Sequence, residues 1–283
     1  MLENIEKISI IIPSFNYDLF IVEAIESILK QSYKDWELII VDDGSKDNSV
    51  RVIEKYIKKC NKIKLFFHPN KENKGLAETY KLGLKHCSGD YIAFIDADDI
   101  WKHSDYLSSK INIFKRHKDV ILVYNDVEVF GSNKIIKDRM GTRDHIDEAN
   151  KKNKERPFFA FEYLSVFNCV YTFSCFVVRA ELLKNHVDIS DRLFGPWLDW
   201  WILGQLSVQG KFYFQSEKKT KWRFHDKSYD QQLKSSGENL KNARLDIISH
   251  AVTYLNKGGK RHIMKNDPSI GTQYQKQVKI LFS

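Results

Sequence analysis

Asp90-Tyr91-Ile92-Ala93-Phe94-Ile95-Asp96-Ala97-Asp98-Asp99 is the stretch whose reading decides the fold. Residues 91–95 are apolar and mostly aromatic or β-branched, the composition of a short buried strand. That strand runs into three carboxylates within four residues, Asp96, Asp98 and Asp99. Like charges so close repel one another and are costly to desolvate unless a cation sits among them. Oxygen ligands with no Cys or His nearby in sequence favour a hard ion such as Mg²⁺ or Mn²⁺, of which Mg²⁺ is typically held by one or two carboxylates plus substrate phosphates. The competing reading is a solvated acidic turn in which Asp99 caps the next helix.

Upstream, the same motif of strand, polar end and helix recurs. Ile8 to Ile12 reads as a strand closed by Pro13-Ser14-Phe15-Asn16, since proline lacks the N–H that a ladder needs. Asp18 is placed to cap a helix from about Leu19 to Gln31. Trp36 to Val41 is a second strand ending in Asp42-Asp43-Gly44-Ser45, and Asp47 starts a helix carrying Val50, Ile53 and Ile57. Ile63 to Phe67 is a third strand, and Gly75 opens a helix through Leu76, Tyr80, Leu84 and Cys87. Four strand–helix alternations with short connections specify an α/β fold, a mostly parallel Rossmann-like sheet flanked by helices.

No Gly-x-Gly-x-x-Gly or Gly-x-x-x-x-Gly-Lys-Ser/Thr occurs, which disfavours a dinucleotide site and a P-loop. The strand ends instead carry Pro13–Asn16, Asp42-Asp43, Asn73-Lys74-Gly75 and Asp96-x-Asp98, which converge on one crevice in such a sheet. They offer hydrogen-bonding groups for a base and ribose, a lysine near phosphates, and a metal ligand. That is a nucleoside-diphosphate site.

Ser9 to Asn16, with Val41 to Ser45 and Ile95 to Asp99, resembles a family 2 glycosyltransferase of GT-A fold, over about residues 7 to 230. The resemblance implies that Asp42 or Asp43 hydrogen-bonds the nucleobase, usually uracil, beside Pro13, Ser14 and Asn16. Lys74 and Gly75 match the element that lines the donor. Asp96 would lie near the ribose or donor sugar, and Asp98 on an Mn²⁺ or Mg²⁺ ion bridging the phosphates.

Downstream, Asp105 to His117 reads as a helix and Val120 to Phe130 as a strand. Residues 131–156 are polar and hold too few apolar side chains to pack, so they read as a mobile insertion, either a solvated connection or a loop over the donor. A strand is expected at Tyr171 to Val178. Trp197 to Leu206 is a helix with Asp199 among tryptophans. Asp199 either caps it or, short of bulk water, is raised in pKa toward general-base use. In the family an Asp here, often written Glu-Asp, deprotonates the acceptor hydroxyl; Leu198 stands where that Glu usually does. Trp222 to Tyr229 matches the family's Arg-x-His-x-x-Ser element, which implies that Arg223 neutralises phosphate charge and that His225 binds the metal or a phosphate. A lone histidine is otherwise more often structural.

The chain has 283 residues, 42% hydrophobic and 13% aromatic, enough for a real core. The expected organisation is a transferase domain over 1–230, with a nucleotide-binding half to about 100 and an acceptor half beyond, then a basic helical extension over 231–283. An amphipathic helix is expected from Glu238 to Leu255. Residues 1–215 balance 31 basic against 31 acidic side chains, whereas 216–283 hold 14 against 6, the whole excess of +8. A neutral body with a basic tail suits an anionic partner such as a membrane surface, or a soluble basic surface without one; no nucleic-acid motif is present. Four scattered cysteines without metal spacing, and no signal peptide, point to a reducing cytoplasmic setting, with docking on the inner face of the cell membrane as an extension.

The sequence reading is therefore an inverting, metal-dependent enzyme moving a sugar from a nucleoside diphosphate, UDP in the first instance, to a glycan or lipid-linked glycan. Bacterial surface polysaccharide is the expected product class, and an oligomer is compatible. The rivals are a nucleotidyltransferase acting on a sugar phosphate and a non-catalytic nucleotide-sugar-binding module.

Overall fold

The computed structural model describes residues 6–134, 136, 144–189, 198–226 and 249. The expected extension over 231–283 and its helix therefore lie outside the described residues, Ser249 apart.

Strand β1 (Ile8–Ser14) is central, paired in parallel with β2 (Trp36–Asp42) on one side and β4 (Tyr91–Phe94) on the other. β3 (Ile63–Phe67) adds in parallel to β2. Period-2 alternation sorts these side chains onto two faces. Ile11, Ile39, Val41, Ile92 and Phe94 enter one hydrophobic layer, whereas Ile8, Ile10, Ile12, Leu38, Ile40 and Ala93 enter the other. Helices α1 (Ile21–Leu29) and α2 (Ser49–Ile57) cover the second layer, and α3 (Leu76–His86) covers the first. In α1 the stripe Ile21, Ala24, Ile25 and Ile28 is wholly buried at helical spacing.

Beyond β4 the sheet takes in antiparallel neighbours. β8 (Phe176–Arg179) lies antiparallel between β4 and β6 (Val120–Gly131). β6 pairs in parallel with the long β9 (Lys211–Phe224), to which the short strands β5 (Ile100–Trp101) and β7 (Pro157–Phe158) add antiparallel. The order is β3-β2-β1-β4-β8-β6-β9-β5. Helix α4 (Tyr106–Arg116) packs on the α1 face. α5 (Asp144–Lys152), α6 (Phe161–Leu164), α7 (Ala180–His186) and α8 (Leu198–Ser207) follow in the chain, with α8 contributing Trp200, Ile202, Leu203 and Leu206 to the α3 face.

Several local expectations give way to tertiary context. β1 continues through Pro13 because β4 pairs only with Ile8–Ile11, so the proline nitrogen owes that neighbour no ladder bond. Asp18 caps nothing: its N–H donates to Asp47 Oδ2 at 3.0 Å, and its Oδ2 accepts from the Asn48 N–H at 3.3 Å, tying α1 to α2. Tyr171–Val178 is a strand only from Phe176, preceded by a 3₁₀ turn at Phe173–Cys175. Residues 144–156 are not a loose insertion. Ala149, Asn150 and Asn153 of α5 and its C-terminal turn are buried, and the Tyr171 hydroxyl donates to Asp147 Oδ1 at 2.7 Å.

Among the described residues no helix is long and apolar enough to cross a membrane. All four cysteines are free thiols.

Candidate active site

The carboxyl ends of β1, β2 and β4 sit side by side where strand order reverses around β1, the place where open α/β sheets bind ligands. Ser14 and Asp42 are register partners there, and both are almost fully buried. Asp42 Oδ1 accepts from the N–H groups of Gly44 (3.2 Å) and Ser45 (3.0 Å). Asp42 Oδ2 and Ser14 Oγ are buried with no hydrogen-bond partner. Such groups are costly to leave unmade, which makes this pair a candidate to meet a ligand.

Asp43 behaves differently. Its Oδ1 accepts from the Lys74 N–H at 2.6 Å and its Oδ2 from the Gly75 N–H at 3.0 Å, with His68 Nε2 at 3.5 Å from Oδ1. Burial raises its pKa even against those donors. Of the two carboxylates offered for the nucleobase, Asp43 is thus a clasp for the donor-side loop, and Asp42 keeps the open acceptor. Gly44 makes the clasp possible: its φ is +82°, and a Cβ there would lie 2.7 Å from the Lys71 carbonyl. Gly75, at φ +84°, supplies the cap residue of α3. The Lys74 ammonium is exposed and pairs with Glu72 of its own loop at 2.6 Å. Asn16, also at positive φ, accepts from the Lys46 N–H through Oδ1 at 2.8 Å, which fixes the loop after Pro13 against the turn after Ser45.

The acidic turn opens β5, not a helix, so Asp99 is no helix cap. Its Oδ1 accepts from the Arg223 N–H at 2.9 Å, and its side chain is inaccessible. Asp96 accepts from the Tyr80 hydroxyl (3.1 Å) and the Thr172 hydroxyl (3.2 Å), while its N–H donates to Ser174 Oγ (2.9 Å). Burial first, then the charge of Asp98, pushes the Asp96 pKa up to about 7, with Asp199 adding to the rise. Burial, then Asp98 and Asp96, holds Asp99 well above the carboxylate range. Crowded, desolvated carboxylates of this kind call for either protons or a cation.

The β6–β9 ribbon delivers the partners of this turn. Arg223 Nε donates to the Asp98 carbonyl at 2.8 Å, and its Nη2 pairs with Glu23 of α1 at 2.8 Å. Its guanidinium also lies over the Phe130 ring at 4.3 Å. Through these contacts Arg223 clamps the acidic turn to α1. His225 Nε2 lies 2.8 Å from Asp98 Oδ2, and its ring packs on Phe20. Among the described residues no three of His, Cys, Asp or Glu form a cage. One carboxylate oxygen and one imidazole nitrogen are nevertheless a donor pair that fits Mn²⁺ or Mg²⁺ completed by phosphate oxygens and water.

Asp199 stands in the first turn of α8, half-buried. Its Oδ1 accepts from the Trp200 N–H at 2.7 Å and its Oδ2 from Asn168 Nδ2 at 3.0 Å. Its charge reaches Asp96 and the Tyr80 hydroxyl. Of the tryptophans expected to dehydrate it, Trp197 lies outside the described residues, and the Trp200 and Trp201 indoles turn away to donate to the Leu164 and Asp188 carbonyls, each at 2.7 Å. Leu198 is buried as well. Tyr80, Asn168, Thr172 and Ser174 escaped the sequence reading, because each bonds a carboxylate or, for Ser174, the Asp96 N–H, from 16 to 78 residues away. No local pattern marks them.

The model of glycosyl transferase family 2 matches residues 9–186, which hold the carboxyl ends of β1, β2 and β4 but not Asp199, Arg223 or His225. The chain belongs to glycosyl transferase family 2. Two curated relatives illustrate the match. An Escherichia coli UDP-Glc:alpha-D-GlcNAc-diphosphoundecaprenol beta-1,3-glucosyltransferase is 36% identical over 46% of this chain and 49% of its own length. A Streptococcus pneumoniae glycosyltransferase is 33% identical over 41% and 38%. The chain thus spans less than half the length of these two relatives. Among solved structures, S. aureus TarS 1–349 in complex with UDP-GlcNAc superposes with a TM-score of 0.63 at 17% identity, covering 86% of this chain and 66% of TarS. A Pyrobaculum calidifontis mannosyltransferase in complex with GDP-Man and Mn²⁺ gives 0.59 at 14%, covering 99% and 79%. The family member described here therefore has the GT-A fold, as its motifs imply.

Proposed function

We propose that this protein is an inverting glycosyltransferase that moves a sugar from a nucleoside diphosphate, UDP, to a hydroxyl of a glycan or lipid-linked glycan. The observation that carries this reading is one sheet edge bearing an open base-side acceptor, Asp42 Oδ2, a cation-ready pair, Asp98 and His225, and a held carboxylate, Asp199. Relatives support the donor class, since neighbours of the same fold are seen with UDP-GlcNAc and GDP-Man.

In this reading Asp42 and Ser14 receive the base, with the loop Pro13–Asn16 beside it. Asp96, held between Tyr80 and Thr172, faces the ribose or donor sugar. Asp98 and His225 hold Mn²⁺ or Mg²⁺, which when bound supplies positive charge to the departing diphosphate. Asp199 accepts the proton of the acceptor hydroxyl, and Asn168 fixes the carboxylate that does so. The freed oxygen bonds to the anomeric carbon from the face opposite the diphosphate. The anomeric C–O bond breaks, and its electron pair leaves with UDP. Bacterial surface polysaccharide is the product class that fits a relative acting on a diphosphoundecaprenol sugar. The basic stretch over 231–283 is suited to an anionic membrane surface, which vesicle sedimentation with and without it would test.

Asp199→Asn should keep UDP binding and lose transfer by roughly 10²–10⁴-fold, the usual contribution of a general base. Release of UDP rather than pyrophosphate, abolished by EDTA and restored by Mn²⁺, completes the test. An active Asp199→Asn enzyme, or pyrophosphate as product, would overturn the reading.

A further inference from the structure

A cleft of about 460 Å³ opens beside the site, between the β6–β9 ribbon and α5. That volume falls in the roughly 300–1,000 Å³ range of small-molecule sites. The cleft joins the reaction centre through two consecutive residues: Tyr171 lines it, and Thr172 hydrogen-bonds Asp96.

Its acidic side chains are already engaged. Glu128 pairs with Lys102 at 2.5 Å and Lys221 at 3.7 Å, Asp147 accepts from the Tyr171 hydroxyl, and Asp126 Oδ1 accepts from the Val127 N–H. Its lysines make no bond of that kind, although the charge of Lys218 reaches Glu128. Lys151, Lys154 and Lys218 line the cleft, are exposed, and make no side-chain ion pair among the described residues. The lining also holds a buried amide donor. Asn150 is 2% exposed, and its Oδ1 accepts from the Tyr124 hydroxyl at 2.5 Å. Its Nδ2 has no hydrogen-bond partner. The Tyr171 hydroxyl lies beside this amide. A buried amide N–H is rarely left unmade, and an acceptor oxygen entering the cleft would satisfy it.

We propose that this cleft seats an anionic group of the acceptor, a phosphate or a carboxylate, between Lys151, Lys154, Lys218 and the Asn150 amide. The acceptor hydroxyl then extends past Tyr171 toward Asp199. The assignment rests on the transferase reading for the word acceptor, but the anion site itself does not.

Calorimetric titrations of the full chain test it, with UDP and Mn²⁺ saturating and again without them. The probes are glucose 1-phosphate, glucuronate and glucose. One of the charged probes should bind at least about tenfold more tightly than glucose, as charge-assisted hydrogen bonds outweigh neutral ones. The stronger of the two identifies phosphate or carboxylate as the source. The triple variant Lys151→Gln/Lys154→Gln/Lys218→Gln should weaken that probe about tenfold or more while leaving UDP affinity unchanged. Asn150→Asp, which places an acceptor where the donor stood, should weaken it too, with a folded melting profile as control. Equal binding of glucose, no binding of either anion, or wild-type affinity in the triple variant overturns the proposal. If UDP fails to bind while the lysine-dependent anion binding persists, the transferase reading falls and the anion site stands.

Discussion

The two adjacent carboxylates after β2 should fail in opposite ways when changed to asparagine. In Asp42→Asn, Oδ1 still accepts from Gly44 and Ser45 if the new amide nitrogen takes the place of Oδ2, the atom that lacks a partner. Folding therefore loses little, about 0.5 kcal/mol or less, since one buried unpaired charge disappears with its bonds retained. Nucleotide binding loses a charged acceptor facing the N–H of the base and gains a donor against that donor. The loss should be about 2–3 kcal/mol, or roughly 30- to 150-fold in UDP affinity. In Asp43→Asn the reverse holds. Both oxygens carry a backbone N–H, at 2.6 and 3.0 Å, and an amide nitrogen must confront one of them. About 2 kcal/mol of stability should go, near 5 °C in melting temperature for a domain of this size, as the 72–75 loop comes off its clasp. UDP affinity should fall only through that loosening. Calorimetry with UDP and thermal melts of both variants, side by side, read the two effects separately. A variant Asp43→Asn that melts like wild type yet loses UDP, with Asp42→Asn doing the opposite, would refute the assignment.

Lys110 is wholly inaccessible, bonded to Asn125 Oδ1 at 2.6 Å and lying over the Tyr106 ring, and burial drives its pKa well below the usual lysine value. A depressed lysine costs stability progressively as pH falls below its unfolded value, so Lys110→Met should gain more relative to wild type at pH 7 than at pH 10; parallel profiles from urea melts would sink this. Gly44→Ala should cost about 1–2 kcal/mol or more from its positive φ and its contact with the Lys71 carbonyl, seen as a lower urea midpoint. Asn168→Ala frees the Asp199 carboxylate and should lower kcat about tenfold with unchanged UDP affinity, whereas an effect on UDP affinity alone would place Asn168 elsewhere.

The sequence by itself determined the α/β alternation, the crevice at the strand ends and the family. Ile8–Ile12, Trp36–Val41 and Tyr91–Ile95 each declare a buried strand through their own neighbours, and each runs directly into the polar residues of the site. Tertiary structure alone decided which of those polar atoms remain available. Asp42 and Asp43 look alike in sequence, and only the approach of Lys74 and Gly75 consumes one of them. That Arg223 joins the acidic turn to Glu23 of α1, 200 residues away, is visible only in the fold. Asp99 reads as a helix cap until β9 arrives to bond it. Residues 144–156 read as unpackable because their stability comes from Asn150 and Asn153 buried against distant partners, not from apolar periodicity. Strand formation depends on side chains adjacent along the chain, so composition reveals it. Hydrogen-bond capacity left over at a site depends on what folding brings across from elsewhere, and no local pattern carries that information.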